Sequence, residues 1–150
     1  MPAGAILHIT TNSTGSLTAT GAGEDAGIGG GVRDEWPAVD NAAGEITISG
    51  GAVTAIGKFG GAGIGGGTSA AGGTISISCG YVTAEGFTGP GIGAGCGGIM
   101  GAIMISGGIV TARCFGRGAG IGSGCDGWGQ QRRWGHRDFF QRYGHGNQRR

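Results

Sequence analysis

The chain has 150 residues, 41 of them glycine and three proline, with ten basic against nine acidic side chains and a formal net charge of +1. Composition alone would make such a chain low-complexity, but glycine does not fall at every third position, which excludes collagen, and no apolar run is long enough for a membrane-spanning helix. The charge is unevenly spread: Arg33, Lys58, Arg113 and Arg117 face seven acids in residues 1–125, net −3, whereas residues 126–150 carry net +4.

Met1-Pro2-Ala3-Gly4 lacks the basic start and apolar core of a signal peptide. His8 lies in a short strand-like run, and Gly15-Ser16-Leu17-Thr18-Ala19 is a degenerate first copy of a phrase that the chain then repeats. Its full form is Gly44-Glu45-Ile46-Thr47-Ile48-Ser49-Gly50-Gly51-Ala52-Val53-Thr54-Ala55, and it returns at residues 73–84 and 101–112. A second phrase, Ala26-Gly27-Ile28-Gly29-Gly30-Gly31, recurs around Ile64, Ile92 and Ile121. Val53, Val82 and Val110 are 29 and 28 residues apart, but Leu17 to Val53 and Ile28 to Ile64 are each 36, so an insertion interrupts the first interval at residues 32–43. A long period with isoleucine and valine at fixed phases is the signature of a stacked repeat architecture.

Ile46-Thr47-Ile48-Ser49 alternates apolar and hydroxyl residues, the period of a strand with one buried face. A glycine pair then turns the chain into a second short strand at Val53-Thr54-Ala55, and the Ile28-type phrase supplies a third, slim side. No helical apolar periodicity runs over three turns before residue 126. The predicted fold is therefore all-β: a parallel β-solenoid, a right-handed β-helix of about four 28–29-residue coils over residues 1–125. Its interior columns are Ile28, Ile64, Ile92 and Ile121; Ile48, Ile77 and Ile105; and Val53, Val82 and Val110. Thr18, Thr54, Thr83 and Thr111 form an outer hydroxyl ladder. A stack with small core residues and two uncovered ends is expected to be marginal or self-associating.

The Ile-Thr-Ile-Ser-Gly-Gly-x-Val-Thr-Ala phrase at residues 46–55, followed by Gly61-Ala62-Gly63-Ile64-Gly65, resembles the glycine-rich repeats of large bacterial surface proteins. It is also similar to the extracellular carbohydrate-binding β-helix domains of clostridia. The resemblance covers about residues 15–125 and implies calcium-assisted binding of an acidic polysaccharide such as polygalacturonate. It places no binding residue on this chain.

The tail at residues 126–150 departs from the pattern, with six arginines among aromatic side chains. At face value it is a nucleic-acid-binding arm, cations meeting phosphates and rings stacking on bases. Back-translated from His136 and read one nucleotide later, however, permitted codons spell Thr-Val-Ile-Ser-Ser-Ser-Gly-Thr-Val-Thr-Ala, which matches residues 74–84 in length and phase. The tail therefore reads as a frame-shifted, unstructured segment, and nucleic acid is a partner only if it is genuine.

The insertion concentrates the chemistry. Glu24, Asp25, Asp34, Glu35, Asp40 and Glu45 place six of the nine acids within 22 residues, beside Trp36. Carboxylates on loops suit calcium, with Glu24, Asp25, Asp34, Glu35 and Asp40 as candidate ligands, and Trp36 with Asp34, Glu35 and Asp40 could take a sugar. The plainer reading is a solvated acidic loop with Trp36 against the stack. Cys96 and Cys125 each lie four residues after a repeat isoleucine, so they would sit on adjacent coils within disulfide reach, unless they are incidental small residues. Cys79 and Cys114 fall at other phases, and no Cys-x-x-Cys occurs. Gly61-Ala62-Gly63-Ile64-Gly65-Gly66 fits the spacing of a dinucleotide loop but is followed by a strand pattern where a helix is needed. With His136 and His145 in the tail, no catalytic constellation is expected.

The resulting expectation is a non-catalytic repeat segment of a bacterial surface or secreted protein, a scaffold or adhesin with polysaccharide as ligand and neighbouring repeats of a longer chain as partners. Ice binding through the threonine ladder is the alternative from another class.

Overall fold

A computed structural model describes residues 4–32 and 41–125. These form ten strands and, among the described residues, no helix: β1 (Ile6–Ile9), β2 (Ser16–Thr20), β3 (Ile28–Gly29), β4 (Glu45–Ile56), β5 (Ile64–Gly65), β6 (Thr74–Gly86), β7 (Ile92–Ala94), β8 (Ala102–Ile105), β9 (Ile109–Cys114) and β10 (Ile121–Ser123). Every pairing is parallel, in two sheets. One sheet runs β1-β4-β6-β8, with β2 on the second half of β4 and β9 on the second half of β6; the other runs β3-β5-β7-β10. The tail at residues 126–150 lies outside the described residues.

Register follows the repeats because an isoleucine buries best over an isoleucine. Ile28, Ile64, Ile92 and Ile121 align in one row, Ile9, Ile48, Ile77 and Ile105 in another, and Leu17, Val53, Val82 and Val110 in a third. The central members Ile46, Ile48, Ile64, Ile75, Ile77 and Ile92 are completely buried. Each such side chain contributes on the order of 1.5–3 kcal/mol through removal from water. The rows are incompletely covered at their ends, where Ile105 is 41% and Ile121 48% exposed.

Two glycine positions make the rows possible. Gly29, Gly65, Gly93 and Gly122 adopt φ of 136°, 133°, 138° and 144°, a region that only glycine occupies comfortably. A Cβ on Gly65 would also overlap the Gly93 carbonyl of the next repeat, so the slim sheet admits no side chain there. At the corner, Gly51, Gly80 and Gly108 take φ of 73°, 97° and 85° and swing the chain between the two halves of each repeat. This corner differs from the sequence expectation of two separate strands. In β4 and β6 pairing continues around it with register shifts at Ser49, so each is one bent strand, whereas β8 and β9 are separate.

Candidate functional site

The insertion leaves the stack between β3 and β4, and its base is well defined. Asp25 Oδ1 accepts the Val32 N–H at 2.8 Å, and Asn41 Nδ2 donates to the Val32 carbonyl at 2.7 Å. The first bond folds the entry strand's end back on the Asp25 turn, and the second ties the entry of the insertion to its exit. The loop carrying Glu24 and Asp25 is fastened to the next repeat, because the Thr68 N–H donates to the Glu24 carbonyl at 3.0 Å. Asp34, Glu35, Trp36 and Asp40 lie outside the described residues.

Of the candidate calcium ligands, Glu24 and Asp25 alone are described, and one Asp25 oxygen already serves Val32. Among the described residues, no three acid, histidine or cysteine side chains converge to hold a metal. The described carboxylates therefore do not by themselves complete a calcium site, which needs six or more oxygens.

The threonine ladder is in register: Thr18 pairs with Thr54, Thr54 with Thr83, and Thr83 with Thr111. Its neighbouring outward rows are mixed, however, with Ser16, Ala52, Tyr81 and Ile109 on one side and Thr20, Ile56, Glu85 and Arg113 on the other. His8 stands in a third such row, beside Thr47, Ser76 and Met104.

Cys96 and Cys125 are joined in a disulfide with a Cα–Cα distance of 4.6 Å, and the Gly97 N–H donates to the Cys125 carbonyl at 3.0 Å beside it. Cys79 and Cys114 are free.

A row of phenylalanines lies outside the sequence expectations. Phe59, Phe87 and Phe115, each 28 residues from the next, are 60%, 59% and 64% exposed. With Ile56, Lys58 and Glu85 they line an almost wholly apolar groove of about 390 Å³. Phe59 takes a positive φ of 44°, unusual for a bulky residue. Three donors hold it there, since its carbonyl accepts the Thr88 N–H, the Gly89 N–H and the Thr88 hydroxyl at 2.8, 3.1 and 2.6 Å. The signal was the spacing of 28, which becomes visible once phenylalanine is followed as a repeat position.

Comparison with known proteins agrees with this geometry. A family model described as a β-helix repeat matches residues 12–32, 46–68, 75–96 and 103–125. No curated protein and no solved structure matches the chain.

Proposed function

The chain belongs to the β-helix repeat family, and from that premise we propose that it is a right-handed β-solenoid of about four coils serving as a non-catalytic scaffold in a bacterial surface or secreted protein. Its role is presentation: a stiff column carries the insertion, whose Trp36 supplies a ring for an acidic polysaccharide and whose Asp34, Glu35 and Asp40 supply carboxylates for a bridging cation. The observation that carries this reading is the unbroken repeat register past the insertion. Ile28 pairs with Ile64 and Leu17 with Val53 despite the extra residues between them, so the insertion leaves the register of the repeats undisturbed.

The test is retention of the full chain on polygalacturonate, with calcium or with chelator, in about 0.5 M salt to screen the arginine-rich tail. Trp36→Ala is expected to weaken retention about tenfold, the worth of one stacked ring, and chelator to weaken the wild type. Equal retention of wild type and variant removes Trp36 and the insertion from the account.

The aligned threonines favour a second reading, ice binding. Its mixed flanking rows make a poor lattice match, and thermal hysteresis at or below that of a control protein eliminates it.

A further inference from the structure

The two ends of the stack are the two halves of one interface, and we propose that the chain associates head to tail with a second copy of itself, the β8-β9-β10 end of one receiving the β1-β2-β3 end of the next. This goes beyond the scaffold reading and does not depend on any ligand.

The sheet order places β1 and β2 at one end and β8 and β9 at the other, so among the described residues each of these strands is paired along one side only. Such edges are templates for further pairing. Every repeat meets the next in the same parallel sense and register, so what β8 and β9 present outward matches what β4 presented to β6. A second copy placed there sets Leu7 over Ile103, Ile9 over Ile105, Leu17 over Val110 and Ile28 over Ile121, and outside the core it sets Thr18 over Thr111.

The apolar surface at these ends is what such a partner would cover. Ile105 and Ile121 are 41% and 48% exposed where Ile77 and Ile92 of the preceding repeat are 0%, and Leu17 is 40% exposed where Val53 is 2%. The contact is continuous with the repeat-to-repeat packing inside the molecule. Two like ends facing each other would run their strands antiparallel and lose the like-on-like rows. The interface is therefore heterologous, and a heterologous contact that does not close yields an open polymer.

The polarity gives a decisive experiment on the full chain. In sedimentation velocity, the wild type is expected to grow in mass with concentration and to pass the dimer without stopping. Leu17→Lys blocks one end and Ile121→Lys the other, so each variant alone is expected to stay monomeric. Mixed in equal amounts, they still share one intact pair of ends and are expected to stop at the dimer. A wild type that is monomeric throughout, single variants that still associate, or a mixture that stays monomeric while both variants keep the wild-type circular dichroism spectrum overturns the proposal. If a lysine unfolds the chain, hydrogen exchange on the wild type decides: amides of β1, β2, β8 and β9 slow with rising concentration while those of β4 do not, and edges that exchange equally at all concentrations overturn it.

Discussion

Replacing Gly65 by alanine tests whether the slim sheet holds the repeats together as described. Gly65 has a φ of 133°, and an alanine in that region carries a backbone strain of about 1–3 kcal/mol. The new Cβ also overlaps the Gly93 carbonyl. To make room the two backbones must separate, which stretches the bonds from Ile64 N–H to the Gly91 carbonyl and from Gly66 N–H to the Gly93 carbonyl, both 2.9 Å. Losing two such bonds costs about 1 kcal/mol each. The sum is about 3–5 kcal/mol, a large part of the stability of a small domain. Two controls separate the terms. Gly122, with φ 144°, meets nothing closer than the Ala119 Cβ at 3.1 Å, so Gly122→Ala should lose little more than the strain term, about 1–3 kcal/mol. Gly15 has open space around it, so Gly15→Ala should be neutral or stabilising by up to about 1 kcal/mol. Urea unfolding followed by far-ultraviolet circular dichroism measures all three. A Gly65→Ala midpoint equal to that of Gly15→Ala would refute the close approach of the repeats.

Two other outcomes follow from the covalent and polar ties. The Cys96–Cys125 bridge spans 29 residues, and a cross-link over a loop of that size stabilises by about 3.6 kcal/mol on the chain-entropy model. The Cys96→Ser, Cys125→Ser double variant should therefore melt about 10–15 °C lower, and thiol titration of the unfolded chain should find two reactive groups, Cys79 and Cys114, before reduction and all four cysteines after it; four thiols before reduction would remove the bridge. Asn41→Ala deletes the 2.7 Å bond to Val32, so it should destabilise the neck by about 1 kcal/mol and speed tryptic cleavage after Arg33 about fivefold, whereas an unchanged cleavage rate would show that the neck does not depend on this bond.

The strands and rows are legible in the sequence because the chain repeats its own side chains at each level. Val53, Val82 and Val110 share one phase of the repeat, and parallel pairing in register buries the first two and partly covers the third. The continuity of β4 is not legible, because Gly50-Gly51 reads as a turn and nothing local reveals that a corner glycine at φ 73° can bend a strand while pairing continues. The phenylalanine groove stayed hidden for a related reason. Phe59, Phe87 and Phe115 lie outside the alternating phrases, so their spacing of 28 marks a repeat position only when phenylalanine itself is followed, and the aligned backbone then gathers them into one surface. The chemistry of the insertion was legible as composition alone, since Trp36 and its acids have no counterparts in other repeats to fix their positions.

The Asn41–Val32 bond closes the neck of the insertion, and the register of the repeats on either side is kept although extra residues pass through that corner. Ile28 meets Ile64 across a 36-residue interval as faithfully as Ile64 meets Ile92 across 28. A loop held at both ends becomes only about 0.6 kcal/mol less favourable each time its length doubles. The corner is thus a cassette: foreign peptides of widely different length could be exchanged into it, each held at the side of a scaffold whose own geometry stays the same.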